Sequence, residues 1–330
     1  MGMRNFVSKM ADDVLSGGIL EGKDLLRLSE LSGGELYFLF AEASRIKEHF
    51  IGNAISLCSI INAKSGHCPE NCAFCAQSSS SSSKIEVYPL VDEDEIVGCA
   101  KKAEQNGAWC YGIVTSGTGI QAGEELDRIC RAVNRIYHET SIAPSCSLGI
   151  LDYDTLLKLK QAGMVTYHHN LETSRSFFSS ICTTHNYEDD VETIRAAKKV
   201  GLRVCCGGIF GLGESFAHRI EMAETLRELD VDTVPLNFFD PVKGTRLADA
   251  RFLTPVECLK TIAIYRFMLP NKRISVCGGR ETNFRELQSW IFLAGASGMM
   301  TGNYLTKKGR MPELDRQMLI DLGLEVRGCI

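Results

Sequence analysis

Short β-branched runs alternate with longer amphipathic ones along most of this 330-residue chain. Eight short runs read as strands, near residues 54–61, 109–115, 141–147, 165–171, 202–210, 233–238, 273–277 and 298–301. Between them, helical patterns cover 92–106, 124–138, 153–162, 187–200, 215–229, 254–268 and 281–294. This is the pattern of a parallel sheet wrapped by helices. Gly107, Gly163 and Gly201 follow three of the helices, where a left-handed C-cap is wanted. Eight strands and seven intervening helices predict an α/β fold, a (β/α)8 TIM-type barrel over residues 54–310. An N-terminal helical segment (1–53) precedes it, a C-terminal segment (311–330) follows, and no linker divides the single domain. A barrel of this kind carries its chemistry at the carboxyl ends of its strands.

Composition narrows the function classes. A hydrophobic content of 45% is ample for a large core. The net charge of −5, with acidic and basic residues intermixed, offers no basic stripe for a phosphate backbone, so no nucleic-acid partner is expected. No apolar stretch approaches the length that spans a membrane, and Met1-Gly2-Met3-Arg4-Asn5-Phe6 lacks the hydroxyl residue of a myristoylation signal. Fourteen cysteines with no signal peptide suit a reducing cytoplasm, where thiols stay free for metal or pack as small hydrophobes. The run from Ser78 to Ser83 reads as a solvated, mobile loop.

The loop after the first strand holds Gly66-His67-Cys68-Pro69-Glu70-Asn71-Cys72-Ala73-Phe74-Cys75. Structural zinc usually needs a second CxxC pair, which is absent, and a disulfide scaffold does not fit a reducing compartment. A cubane 4Fe–4S cluster normally takes four cysteines, so the CxxxCxxC spacing of Cys68, Cys72 and Cys75 leaves one iron open. S-adenosylmethionine fits that vacancy: its amine and carboxylate can chelate the open iron, and one electron then cleaves it to a 5′-deoxyadenosyl radical. The spacing resembles the radical S-adenosylmethionine superfamily, in which an aromatic such as Phe74 typically lies between the last two cysteines.

Further segments resemble the biotin synthase family. Tyr167-His168-His169-Asn170-Leu171-Glu172-Thr173 is similar to its YNHNLDT, Val204-Cys205-Cys206-Gly207-Gly208-Ile209 to its VCSGGI, and Gly211-Leu212-Gly213-Glu214 to its GLGE. Val234-Pro235-Leu236-Asn237, Lys243-Gly244-Thr245, Gly278-Gly279-Arg280-Glu281 and Gly302-Asn303-Tyr304-Leu305-Thr306 continue the series in order. The resemblance implies radical insertion of sulfur into dethiobiotin to give biotin, with two S-adenosylmethionine molecules spent per product. It also implies a flavodoxin- or ferredoxin-type reductant, iron–sulfur assembly machinery as a partner, and a homodimer. Asn170 and Glu172 would reach the cofactor's ribose, with Glu172 replacing the family's Asp, while Gly207, Gly208 and Ile209 would let backbone approach the cofactor closely. Asn237 would meet the ureido ring of dethiobiotin, His168 replaces an Asn that faces substrate, and Thr306 and Lys307 stand near its carboxylate tail.

The family resemblance also implies an auxiliary cluster deep in the barrel as the sulfur donor. The better-known branch holds a 2Fe–2S cluster with three cysteines and one arginine, where this chain has Gly112, Ser145, Cys205 and Ser275. Cys110 and Cys277 lie two residues from the vacant positions, which keeps the same strand face, whereas Cys146 lies one residue off and needs a bulge to point inward. The expected ligands are therefore Cys110, Cys146, Cys205 and Cys277. All-thiolate ligation favours a four-iron cluster with an extra sulfide, with a 2Fe–2S cluster as the alternative. Cys58, Cys99, Cys130, Cys182 and Cys258 read as packing thiols, only one of Cys205 and Cys206 can face inward, and Cys329 reads as a tail thiol. The competing readings are a methylornithine synthase-like mutase, a hydrogenase-cofactor maturase, and a noncatalytic iron–sulfur carrier.

Overall fold

Local signals start and stop the helices where the sequence places them. Helix Glu124–Glu139 buries Leu126, Ile129, Ala132, Val133 and Ile136, which repeat at three and four residues and so share one face. Asn186, Ser215 and Thr254 close capping boxes at the starts of helices Tyr187–Val200, Phe216–Glu228 and Pro255–Met268. Gly201, at φ 81°, ends the first of these in the left-handed conformation.

A computed structural model describes residues 2–326 and shows a closed parallel barrel. Its strands are β1 (Ser56–Lys64), β2 (Cys110–Thr115), β3 (Ala143–Ser147), β4 (Thr166–His168), β5 (Arg203–Cys205), β6 (Gly208–Phe210), β7 (Thr233–Phe238), β8 (Arg273–Val276) and β9 (Gly298–Met300). Each pairs in parallel with its neighbour, β9 closes onto β1, and β5 and β6 both pair with β7. β5 and β6 thus share one of eight staves. The run expected at 202–210 is interrupted at Cys206 and Gly207, and Cys206 N–H makes the bond to the Thr233 carbonyl that pairs the end of β5 with β7. The helix expected over 281–294 is also broken, into Arg280–Phe284, a 3-10 turn at Arg285–Leu287 and Trp290–Leu293. Arg285 stands at φ 51°, outside the helical region, so the first piece must end there.

Three helices, Met3–Leu15, Gly22–Ser29 and Glu35–Phe50, form the N-terminal segment and pack on the barrel's outer helices. The last helix, Pro312–Asp321, is tied to the barrel by charge. Arg280, just past β8, donates to both carboxylate oxygens of Asp315 at 2.9 and 2.8 Å, and Thr301 Oγ1 adds a third bond to that carboxylate. Arg280 is 1% and Asp315 0% exposed, so neither charge has water to fall back on. Arg266 is also fully buried but has no carboxylate. Its guanidinium donates to the carbonyls of Gly295, Leu269, Pro270 and Lys272, closing the end of helix Pro255–Met268. Cys329 lies outside the described residues.

Breaking the buried pair with Asp315→Asn leaves the Arg280 charge uncompensated and is expected to cost about 3–5 kcal/mol in urea unfolding. The exposed pair of Asp127 and Lys158 is the control, where Asp127→Asn is expected to leave the urea midpoint nearly unchanged.

Candidate active site

The barrel opens at the carboxyl ends of its strands as a cavity of about 530 Å³. The cysteine loop leaves β1 at its rim and folds back on itself: Cys68 N–H donates to the Gln77 carbonyl, Ser79 N–H to that of Cys68, and Cys75 N–H to that of Cys72. Cys68 is buried and Cys72 and Cys75 are half-buried. Burial pushes the Cys72 thiol well up and the Cys75 thiol up, and each is a charge neighbour of another triad cysteine. Cys72 and Cys75, crowded in this way, ionise only against a cation, and with Cys68 beside them the donor set fits a three-thiolate iron–sulfur cluster. The serine run beside them is solvated at Ser79, Ser80 and Ser82, as expected, but it is pinned by hydrogen bonds rather than loose. Ser78 is buried, Ser82 N–H donates to the Gly244 carbonyl and Ser83 Oγ to that of Lys243. A Cβ on Gly244, which stands at φ 95°, would come within 2.5 Å of Ser83 N.

Four thiols lie deeper: Cys58, Cys110, Cys205 and Cys277 all line the cavity. Cys58 pairs with Cys110 in the β1–β2 register, and Cys205 ends β5 opposite His168. Cys277 follows β8, and a hydrogen bond to it, with burial, raises the Cys58 thiol well above its ordinary range. Burial does the same for Cys205, and the charges of Cys58 and Cys110 add to it. Cys146 differs from expectation. It is 0% exposed and packs in the outer core among apolar residues, because β3 carries no bulge and Ser145 takes the inward position. Cys58 takes its place, so four strand positions still supply four inward thiols. The four fit an all-thiolate cluster, and no arginine or lysine among the described residues lines that part of the cavity.

Between rim and floor lie Phe74, His168, Asn170, Glu172, Ile209 and Asn237. Asn170 Oδ1 accepts from Gly207 N–H at 3.2 Å and its Nδ2 donates to Glu172 at 3.3 Å. Glu172 stands at φ 60° and is half-buried in the cavity wall, where burial first and then the charge of Asp190 push its carboxyl up to about 8. Burial also holds the His168 imidazole down at about 4. Gly207 and Gly208 serve packing: a Cβ on the first would lie 2.0 Å from the Pro235 carbonyl oxygen, and on the second 2.5 Å from that of Glu172. Asn237 Nδ2 donates to the Gly208 carbonyl and its Oδ1 accepts from Gly278 N–H, which leaves one N–H and one lone pair for a ligand. Thr306 and Lys307 sit at the mouth, where Lys307 Nζ meets Asp240 at 2.5 Å.

Behind the triad runs a buried polar chain that the sequence motifs do not announce. Glu70 accepts from Thr118 Oγ1, Thr184 Oγ1 and His185 Nδ1. His185 reaches Asp190 through Nε2, and Asp190 also pairs with His169 at 2.8 Å. The bond to Asp190, opposed by burial and helped by Glu70, raises His185 to about 10.

Residues 64–238 match the Radical SAM superfamily, and residues 235–325 match the Biotin and Thiamin Synthesis associated domain. The chain is 71% identical to the biotin synthase of Pelobacter propionicus, over 99% of this chain and 100% of that protein. It is 63% identical to the biotin synthase of Geobacter metallireducens, over 99% of both. The chain belongs to the biotin synthase family. Among solved structures, methylornithine synthase (PylB) is similar at a TM-score of 0.84 and 24% identity, covering 96% of this chain and 97% of that one. The hydrogenase maturase HydG of Carboxydothermus hydrogenoformans is similar at 0.81 and 19%, covering 98% and 80%. Those two likenesses show the barrel fold alone.

In this biotin synthase family member the expected site residues line one cavity apart from Cys68, Cys72, Gly207 and Gly208, which lie outside its lining, and Cys146, which packs in the outer core. Leu57 and Ala63 are the buried outward positions of β1, and Cys58 and Ile60 between them line the cavity together with Ser59. The GLGE segment closes its own turn, since Glu214 accepts from Gly211 and Leu212 N–H and pairs with buried Arg219.

Glu172 sets a pH dependence. Its carboxyl is raised in the folded chain, so its stabilising effect is complete below the unfolded value near 4.5 and is lost as pH rises toward 8. Between pH 6 and 8 the iron-free wild type is expected to lose on the order of 2 kcal/mol more stability than Glu172→Gln, read by urea unfolding at each pH.

Proposed function

We propose that this chain converts dethiobiotin to biotin and that its auxiliary cluster sits on Cys58, Cys110, Cys205 and Cys277. The observation that carries the proposal is a single cavity with Cys75 at its rim and four more thiols on its floor. A reaction needing only the radical has no use for a second set of buried thiols, whereas sulfur insertion does. When bound, the triad cluster with S-adenosylmethionine supplies the adenosyl radical and the auxiliary cluster, four-iron with an extra sulfide in preference to 2Fe–2S, supplies the sulfur.

The chain's own residues bind, orient and exclude water. Cys68, Cys72 and Cys75 hold the triad cluster, and Phe74 screens it from the cavity side. Asn170 and Glu172 face the cofactor's ribose from the end of β4, with Gly207, Gly208 and Ile209 forming the adjoining wall. Asn237 keeps one donor and one acceptor for the ureido ring. His168, held neutral by burial, can offer one hydrogen bond without placing a charge beside the reacting carbons. Lys307 supplies the cation for the substrate's carboxylate, and Thr306 lies next to it. The proposal includes a flavodoxin- or ferredoxin-type reductant, loading by iron–sulfur assembly machinery, and a cytoplasmic homodimer. No helix among the described residues is long and apolar enough to cross a membrane.

An anaerobic single-turnover reaction on reconstituted protein, with dethiobiotin, S-adenosylmethionine and reductant, tests the whole. Biotin is expected as the iron signal outside the triad changes in Mössbauer spectra, whereas deoxyadenosine without biotin would move the enzyme to another substrate. Reconstituted wild type is expected to hold about eight irons, and Cys58→Ser about four, while Cys146→Ser keeps all of them. Retention of the full complement by Cys58→Ser would return the ligand set to question. Lys307→Ala is expected to raise the KM for dethiobiotin about tenfold with little change in kcat, the loss of one charge-assisted hydrogen bond.

A further inference from the structure

The mouth of the cavity carries an ion pair whose two partners both line it. Asp240, just past β7, and Lys307, in the loop after β9, meet at 2.5 Å between Oδ2 and Nζ. The pair spans the β8 stave that separates theirs, and Thr282 Oγ1, beyond β8, donates to the same Asp240 oxygen at 3.3 Å. The lysine loop is shaped without Asp240. Tyr304 N–H donates to the Lys307 carbonyl at 3.0 Å, and Gly309 N–H to Asn303 Oδ1 at 3.3 Å. Asn62 Nδ2, on β1, donates to the Leu305 carbonyl at 3.0 Å and fastens the loop to the first stave. Lys307 and Lys308 are the cations of the cavity lining, and of its acids, Glu172, Asp240 and Glu281, only Asp240 meets one of them among the described residues.

We infer that Asp240 sets the affinity for the substrate's carboxylate, because it holds the ammonium that the tail of dethiobiotin takes. The inference deepens the proposed function and rests on its assignment of Lys307 to that carboxylate. Its sign does not depend on the manner of exchange. A lysine ammonium has three donors, so an incoming carboxylate either displaces Asp240 or sits beside it. Displacement breaks an existing pair, and sharing sets two like charges on one cation. Both weaken binding. The side chains of Lys307 and Asp240 are 41% and 20% exposed, so the effect is that of a half-exposed pair and not of a buried one. Biotin carries the same carboxylate, so the acid that weakens substrate binding also hastens release of the product. A tail without charge has no pair to exchange and is indifferent to Asp240.

Equilibrium dialysis on the reconstituted enzyme, with S-adenosylmethionine present and no reductant, reads binding apart from chemistry. The ligands are radiolabelled dethiobiotin and its methyl ester, and the proteins are wild type, Asp240→Asn and Lys307→Ala. Asp240→Asn is expected to lower the Kd for dethiobiotin about threefold and to leave that for the ester unchanged. Asp240→Ser carries the same expectation if the asparagine variant does not fold. An unchanged or raised Kd for dethiobiotin would overturn the inference, since Asp240 would then be a bystander or a support for Lys307. Equal tightening of both ligands would also overturn it, as the mark of a loosened mouth and not of a removed charge. Lys307→Ala tells this failure from that of the underlying reading. If it weakens dethiobiotin while Asp240→Asn does not tighten it, the inference fails alone. If it leaves the Kd unchanged, the assignment of Lys307 fails and takes the inference with it, and wild type that binds neither ligand removes dethiobiotin as the substrate and the inference too.

Discussion

Closure of a parallel sheet into a barrel is the constraint on which the rest of this molecule depends. Once β9 hydrogen-bonds to β1, every stave has a fixed inner and outer face, and a side chain's parity along its strand decides its chemistry. Cys110 and Cys146, three register positions apart on neighbouring strands, end on opposite sides: one lines the cavity, the other packs in the outer core. The same closure brings Cys58 from the first stave beside Cys277 from near the last, 219 residues on by number. Four thiols from four staves thus meet without any of them being near another in sequence.

The rim is organised by a different force. Loops have no ladder to hold them, so the triad segment depends on buried charge and hydrogen bonds. Glu70, between two of the triad cysteines, reaches a histidine 115 positions away, and Asp190 links that histidine to His169 beside the cavity wall. Each member is satisfied by the next, which makes the network stiff and leaves it intolerant of losing one partner. The rim therefore couples the cysteine loop to the end of β4, where Asn170 and Glu172 begin. The serine strap against Gly244 encloses the loop from the other side.

Glycine does similar work inside. Gly207 and Gly208 let the broken fifth stave press against Pro235 and Glu172, and the break itself places Asn170, Gly207 and Asn237 in one hydrogen-bonded belt. A regular strand over 202–210 would leave no such belt. The motif segments of the family thus divide: GLGE and the glycine pair shape backbone, while the asparagines keep donors and acceptors free for ligand.

The sequence by itself determined the order of strands and helices, the barrel class, and the three-thiolate spacing at the end of the first stave. Those features are local, since they follow from periods of 2 and 3.6 residues, helix caps and a fixed cysteine interval. The family resemblance marked Cys205 directly, and from it shifts of two, which preserve strand parity, marked Cys110 and Cys277 as inward positions. Tertiary structure alone decided between Cys146 and Cys58, broke the fifth stave and the 281–294 helix, and pinned the serine run. It also joined Glu70, Cys182 and His185. Facing depends on register and closure, and a buried network depends on which distant segments share a dielectric, neither of which is written in any short stretch of residues.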